Sequence, residues 1–153
     1  MTPQVVFTID DRSFALPLVQ VERAVRAVAV TALPQAPAIV CGVVNIAGRI
    51  VPVIDLRRRF GLPEREIGLT DQLLIAHTYD RPLALIVDAV VGVDEYADQD
   101  FVAVDSIVAG TSFLRGIVKS AAGMILIHDL DSFLSLEETQ ALDSALAPAG
   151  DQP

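Results

Sequence analysis

Disulfides, long apolar runs and a targeting segment are features that this sequence lacks. Cys41 is the single cysteine, so an internal disulfide is excluded, and its apolar neighbours indicate a small buried side chain. The longest apolar stretch, residues 38–54, is interrupted by Asn45, Arg49 and Pro52, and a membrane span needs roughly 20 uninterrupted apolar residues. The first residues show no basic segment leading into an apolar one, so we expect no secretory signal and a cytoplasmic protein.

Basic residues are also few. Lys and Arg number 11 against 20 Asp and Glu, which gives a formal net charge of −9. The acidic excess is uneven, because residues 1–69 hold eight arginines and six acidic residues, whereas residues 70–153 hold three basic and fourteen acidic residues. Duplex nucleic acids and anionic membrane surfaces attract basic proteins, so the composition disfavours both as partners.

Residues that support catalysis or metal binding are sparse. His77 and His128 lie in apolar strand sequences, and neither has a Cys or His at metal-ligand spacing. The acidic stretch 94–100 lacks the spacing of a calcium loop, and the glycines match no phosphate-binding motif. We therefore expect no catalytic residue, no cofactor and no metal. A small hydrolase that uses His128, Asp129 and Asp131 is the alternative.

What the sequence contains is a high apolar fraction, 52%, in short runs rich in Val, Ile, Leu and Phe. These runs recur every 8–12 residues or so between Gly, Pro and Asp, which is typical of an all-β sandwich or barrel. The pattern predicts a mainly β fold with ten strands, at residues 5–10, 13–18, 20–30, 39–46, 49–54, 72–78, 82–88, 90–96, 113–119 and 123–128.

One helix is predicted close to the C-terminus, over residues 136–147. Ser135 and Glu138 before and within its first turn have the spacing of a capping box, in which each side chain accepts from the backbone N–H of the other residue. Residues 148–153 are predicted to form a disordered tail.

Two parts of the sequence are repeated in the same order. Residues 11–16 match residues 80–85, each a polar turn followed by an alternating apolar strand. A second match runs from a glycine to an aspartate thirteen positions later, in Gly42–Asp55 and in Gly116–Asp129. The repeat indicates two half-domains of like topology.

The repeat also predicts how the chain is organised. We expect one domain over residues 5–147, with half-barrels at about 5–69 and 70–134, because a closed barrel leaves no exposed sheet edges. In each half the repeated aspartate is expected to accept from the free N–H groups of a short helical turn. The adjacent arginines 57–59 are expected to be solvated on such a turn, with an acidic partner as the alternative.

A domain with apolar surface to spare and no set of catalytic groups has the properties of an interaction module. Recognition by such a module depends on apolar strand faces and grooves rather than on reactive groups. A groove between two similar barrels is the expected place for a helix of a partner.

Residues 42–56, GVVNIAGRIVPVIDL, resemble the CheW signature G-V-x-N-L-R-G-x-x-x-P-V-x-D-L. Supporting matches lie at residues 7–9, 33–34, 87–90 and 126–130, so the resemblance covers residues 5–146. It implies two five-stranded SH3-like barrels and a short C-terminal helix. It also implies a non-enzymatic adaptor of bacterial chemotaxis signal transduction, which couples chemoreceptors to the histidine kinase CheA within a two-component system.

The resemblance further implies which partners and residues take part. The signalling tip of the chemoreceptor, a methyl-accepting chemotaxis protein, would contact Val21, Arg23, Asn45 and Ala47. Most relatives have glutamate in place of Arg23 and arginine in place of Ala47, so either the specificity is retuned or the two positions have drifted neutrally.

Contacts with the regulatory domain of the kinase are expected at one end of the first barrel, through Ile39, Val40 and Ile46. A place in the apolar core is the alternative for each of them. As a chemotaxis adaptor, the protein would be recruited to receptor arrays at the inner membrane. The alternative function is that of an adaptor with the same fold in a non-flagellar system, such as pilus motility or a second-messenger pathway.

Overall fold

The computed structural model describes residues 2–26, 30–79, 81–103, 114–120 and 123–147. Its strands are β1 Thr2–Ile9, β2 Arg12–Pro17, β3 Val21–Arg26, β4 Val40–Ile46, β5 Arg49–Ile54, β6 Gln72–His77, β7 Pro82–Val87, β8 Ala89–Tyr96, β9 Phe101–Ala103, β10 Leu114–Ser120 and β11 Gly123–His128. Its helices are α1 Leu56–Phe60 and α2 Leu136–Ala145, with 3₁₀ turns at Leu18–Gln20, Asp98–Asp100 and Leu130–Ser132. Neither helix is long and apolar enough to cross a membrane within these ranges.

The strands form two sheets of matching topology. The first sheet has the order β8-β1-β2-β11-β10-β9, and the second has the order β3-β6-β7-β5-β4. Each contains one parallel pair, β2 with β11 and β5 with β7, among antiparallel neighbours. The mainly β fold of two SH3-like halves is therefore confirmed, with β9 as a sixth strand on the first sheet.

The two halves of the sequence exchange strands. Strands β1 and β2 come from the first half but pair with β8 and β11 of the second, whereas β6 and β7 from the second half pair with β3 and β5 of the first. The boundary expected between residues 69 and 70 therefore does not separate one sheet from the other. The repeat is nonetheless visible, because the order β3-β6-β7-β5-β4 corresponds strand by strand to β8-β1-β2-β11-β10, with β9 as an extra strand.

Three apolar cores result from this exchange. Alternate residues of the central strands face opposite sides: Leu73 and Ile75 of β6 lie inside the second sheet, and Leu74 and Ala76 lie between the sheets. A smaller core lies inside the first sheet, made by Val6, Ala15, Val118, Ile125 and Ile127. Because the central strands are buried on both faces, their sequences read as continuous apolar runs.

The predicted caps are confirmed. Asp55 accepts from the N–H groups of Arg57 at 3.0 Å and Arg58 at 3.4 Å, and Asp129 accepts from the N–H of Asp131 at 3.2 Å. Helix α2 begins with a capping box. The hydroxyl of Ser135 accepts from the Glu138 N–H at 3.1 Å, and the Glu138 carboxylate accepts from the Ser135 N–H at 2.8 Å.

The predicted strands agree with the structure to within a few residues at most ends. Strand β1 begins at Thr2 rather than at residue 5, and β3 ends by Arg26 in the described part, because residues 27–29 of the predicted strand lie outside it. Strand β9 was not predicted, since three residues are too few to show an alternating pattern. The predicted tail, residues 148–153, lies outside the described residues.

Candidate functional site

The turn between β4 and β5 presents part of the CheW-like signature at the surface. It is a two-residue hairpin loop in which Ala47 has φ 52° and Gly48 has φ 85°. Positive φ at both positions is the geometry that matches the twist of the flanking strands. The side-chain oxygen of Asn45 accepts from the Gly48 N–H at 2.9 Å and so holds the turn.

Glu22 connects this turn to strands β3 and β6. It lies at an irregularity in the pairing of β3 with β6, between Val21 and Arg23. The guanidinium of Arg49 donates to both oxygens of Glu22 at 2.8 Å, and Nε2 of His77 lies 2.8 Å from one of them. Strands β3 and β5 are not neighbours in the sheet order, so these contacts bring distant strands of the second sheet to one surface.

The charges of this cluster are predominantly basic. Hydrogen bonds from Arg49 and then from His77 lower the pKa of Glu22, so its carboxylate stays ionised to lower pH than usual. Arg23 lies 3.6 Å from the same carboxylate, and its side chain is 50% exposed. One acid thus lies among two arginines and a histidine on a protein whose net charge is negative. We call Glu22, Arg23, Arg49 and His77 the basic cluster.

The four predicted receptor contacts lie on the elements that this cluster joins. Arg23, Asn45 and Ala47 are exposed, and Val21 is half-buried against the core between the sheets. Arg23 and Ala47, the two positions expected to depart from the family pattern, are therefore both at the surface. The roles of Glu22, Arg49 and His77 could not be predicted from the sequence, because their contacts join residues 27 and 55 positions apart.

The three predicted kinase contacts are buried. Ile39, Val40 and Ile46 are each 7% exposed, the first two in the core between the sheets and Ile46 in the core of the second sheet. Their side chains therefore offer little surface to a partner in this structure. Ile50, next to the β4–β5 turn, is 58% exposed and is a large apolar side chain at the surface of this end of the second sheet.

The expectation that the arginines 57–59 are solvated is wrong for two of the three. The side chain of Arg57 is 8% exposed, donates to Asp88 at 2.9 and 3.1 Å, and lies 2.8 Å from Asp10. Arg59 is 19% exposed and pairs with Glu138 of helix α2. Arg58 is more exposed and pairs with Glu64 at 2.7 Å. Short helix α1 is thus anchored by charge pairs to both halves of the chain.

His128, Asp129 and Asp131, the residues of the hydrolase alternative, each make a different structural contact. His128 is 2% exposed and stacks on Phe60, with ring centroids 4.5 Å apart. The carboxylate of Asp129 caps a turn, and Asp131 accepts from the Tyr79 N–H at 2.6 Å. The thiol of Cys41 is half-buried among apolar side chains, and burial raises its pKa to about 11, which disfavours a reactive thiolate.

Two strand-exchanged sheets with an apolar core between them and a charged surface cluster define a β interaction module. The CheW-like domain profile matches residues 4–138, so the chain belongs to the CheW-like family. It is 30% identical over 139 residues to the chemotaxis protein CheW of Rhizobium meliloti, which covers 90% of both chains. It is also 30% identical over 141 residues to CheW of Bacillus subtilis, covering 90% of this chain and 89% of that protein.

The comparison with solved structures agrees with the sequence comparisons. The crystal structure of the scaffolding protein TtCheW from Thermoanaerobacter tengcongensis matches with a TM-score of 0.81 and 29% identity, over 90% of this chain and 94% of that one. The protein is accordingly a chemotaxis adaptor or scaffold of the CheW-like kind.

Proposed function

We propose that this protein acts without catalysis and couples chemoreceptors to a CheA-type histidine kinase in the cytoplasm. The receptor would contribute its signalling tip and the kinase its regulatory domain. The observation that supports this proposal is the basic cluster, because it joins β3 to the β4–β5 turn and so gathers Arg23, Asn45 and Ala47 on one exposed surface. A partner helix lying across both elements would contact all three residues.

A reconstitution tests the coupling directly. The purified protein is mixed with a receptor signalling-tip fragment and with a kinase regulatory domain, and the mixture is separated by size-exclusion chromatography. We expect a ternary complex in which all three chains elute together. Elution of the protein with neither partner at concentrations of about 100 μM, well above the dissociation constants of most specific complexes, would contradict the proposal.

The specificity of the receptor contact would be set by charge. Arg23 replaces the glutamate of most relatives and Ala47 replaces their arginine, while the nearby pair Glu22–Arg49 retains an acid and a base on the same two elements. Exposed charges at an interface change the choice of partner more than the total affinity. A receptor tip that presents an acidic residue to Arg23 should therefore be preferred over a tip that presents a basic one.

The double variant Arg23→Glu with Ala47→Arg measures this preference. It should bind a receptor-tip peptide with a basic residue at the contact more tightly than the wild type does, and a peptide with an acidic residue less tightly, by about fivefold each way for one partly exposed charge pair. Arginine at position 47 has the same left-handed backbone cost as alanine, so the fold should persist. Equal affinities of the two proteins for both peptides, measured by calorimetry, would rule the retuning out.

Kinase contact at the turn end of the second sheet would depend on the exposed Ile50, with the buried Ile46 on the neighbouring strand. Ile39 and Val40 are buried at the opposite end of β4, where Val40 pairs with Ile54. Ile50→Asp should abolish most binding of the regulatory domain, because a charge would be desolvated at an apolar contact. Leu69→Asp is the matched control, since Leu69 is 91% exposed and lies outside this end. Equal binding by the two variants would exclude this location.

A further inference from the structure

The interior of the first sheet contains a cavity of about 340 Å³. Its apolar walls are formed by Val6, Ala15, Val118, Ile125 and Ile127, which also form the core of that sheet. The volume is within the range of small-molecule sites, which starts at roughly 300 Å³. We call it the first-sheet cavity.

The second sheet has a large apolar side chain at the matching place. The repeat aligns β1 with β6 and β2 with β7, so Val6 corresponds to Ile75 and Ala15 to Ala84, all of them inside their sheets. By the same alignment Gln4 corresponds to Leu73, which is fully buried in the second core. A polar amide therefore occupies a position where the repeat has a large apolar side chain.

Gln4 lines the cavity and is 3% exposed. Its side-chain oxygen Oε1 has no hydrogen-bond donor among the described residues. A buried acceptor without a donor destabilises the fold, because the oxygen loses its hydrogen bonds to water and gains none in return. The amide thus provides a site for a donor brought by a ligand, and leucine at this position, which has a similar volume, would remove the acceptor.

The cavity mouth is acidic and has an aromatic wall. Asp94 and Asp100 line the cavity together with Lys119, and Glu95 contributes to the lining from strand β8, so the charged lining residues are mainly acidic. The ring of Tyr96, another lining residue, stacks on Phe101 with centroids 5.6 Å apart. Carboxylates beside an aromatic face favour a bound cation.

We propose that the first-sheet cavity binds a small organic cation with an apolar body, whose ammonium group faces the acidic mouth and whose far end donates a hydrogen bond to Gln4. The apolar walls accept the body, the unpaired oxygen accepts from the donor, and the carboxylates attract the charge. This site is on the first sheet, whereas the basic cluster is on the second, so the proposal stands independently of receptor and kinase binding.

Three related probes test each element of the proposal on the full chain. Tyramine has a phenol donor, an apolar ring and an ammonium group. Phenethylamine lacks the phenol donor. The third probe, 3-(4-hydroxyphenyl)propionate, has the donor but carries a negative charge in place of the ammonium group. In calorimetric titrations we expect tyramine to bind about fivefold more tightly than phenethylamine, the contribution of one hydrogen bond. The propionate should bind at least about tenfold more weakly than tyramine because its charge is repelled by the carboxylates.

Two variants locate the binding. Gln4→Leu should fold at least as stably as the wild type, as judged by thermal unfolding, and should bind tyramine no more tightly than phenethylamine. Asp100→Asn should weaken tyramine binding about threefold, the effect of one exposed charge. Asp98→Asn is the matched control, because Asp98 lies in the same 3₁₀ turn but does not line the cavity.

Three results would each overturn the proposal. The first is an absence of tyramine binding up to about 10 mM, which corresponds to a free energy too small for a specific site. The second is equal binding of all three probes to the wild type. The third is tyramine binding that Gln4→Leu leaves unchanged, which would place the probe elsewhere on the surface.

Discussion

Arg57 of helix α1 donates to both carboxylate oxygens of Asp88, which follows strand β7, at 2.9 and 3.1 Å. The two residues belong to different halves of the repeated sequence. Asp10 in the β1–β2 turn lies 2.8 Å from the same guanidinium, and Arg65 lies 2.8 Å from Asp88. This network therefore links the strands that the halves exchange and stabilises the exchanged arrangement.

Removal of the central arginine should destabilise the fold. Arg57→Met keeps the apolar stem but removes the arginine paired with Asp10 and leaves Asp88 with Arg65 alone, which should lower the free energy of unfolding by about 2–3 kcal/mol. Chemical denaturation at neutral pH measures the change. Arg58→Met is the matched control from the same turn, and it should cost about 1 kcal/mol or less because that side chain is 44% exposed. Equal losses from the two variants would contradict the role assigned to the network.

The same region should make stability depend on pH. Two hydrogen bonds from Arg65, at 2.6 and 2.8 Å, and one from the Gly68 N–H lower the pKa of Asp71, although burial opposes the shift. The folded pKa lies below the unfolded value of about 3.9, so the stabilisation is present above that value and is lost as the pH falls towards the folded pKa. Asp88 contributes in the same direction. Burial raises its pKa, but the hydrogen bonds from the Asp10 N–H and from Arg57 lower the pKa by more than burial raises it.

Urea denaturation between about pH 3 and pH 7 checks this dependence, a range that spans the unfolded carboxylate pKa values. The free energy of unfolding should decrease as the pH is lowered from about 5. Asp71→Asn should lower the free energy of unfolding at pH 7 and should make it depend less steeply on pH under acid conditions. Parallel curves for the variant and the wild type would exclude Asp71 as a source of the slope.

Glycine at position 47 should stabilise the β4–β5 hairpin. Ala47 has φ 52°, a left-handed conformation that costs a residue with a Cβ about 1 kcal/mol or somewhat more. Ala47→Gly should therefore raise the free energy of unfolding by roughly 1 kcal/mol, less the entropy that glycine adds to the unfolded chain. Ala24→Gly in strand β3 is the control and should destabilise; a loss of stability in both variants would show that entropy dominates at the turn.

Gly42 should tolerate no side chain. A Cβ there would lie 2.2 Å from the backbone oxygen of Thr31, and φ is +155°. Gly42→Ala should destabilise by about 3 kcal/mol or more, the range of substitutions that force a backbone shift. Gly48→Ala separates the clash from the conformational cost, because φ is +85° but no atom lies within 4 Å, so about 1 kcal/mol is expected. Thermal unfolding of both variants gives the comparison.

Local features of this protein were predictable because they depend on neighbours in the sequence. The carboxylates of Asp55 and Asp129 cap turns that begin one residue later, and Ser135 and Glu138 interact across one turn of helix α2. The alternation of apolar residues likewise predicted most strands. The exposed state of Arg23 and Ala47 also agreed with the expected receptor surface, although their binding roles stay predictions.

Long-range features were not predictable in the same way. Arg57 was expected at the surface, but its burial depends on Asp10 and Asp88, which chain folding brings to it from 47 and 31 positions away. The chemistry of Glu22 depends on Arg49 and His77 in the same manner. For Ile39, Val40 and Ile46 the sequence left a kinase contact and a place in the core both open, because apolar side chains of a core and of an interface have the same composition.

The sequence by itself determined the mainly β character, the internal repeat, the capped turns and the membership of the family, since each is contained in local pattern or in a contiguous signature. Only the tertiary structure decided that the halves exchange strands, that arginines anchor helix α1, and that Gln4 faces a cavity where the repeat has Leu73. The physical reason is that pairing of distant strands and burial of charge depend on free energies summed over contacts between residues far apart in the chain.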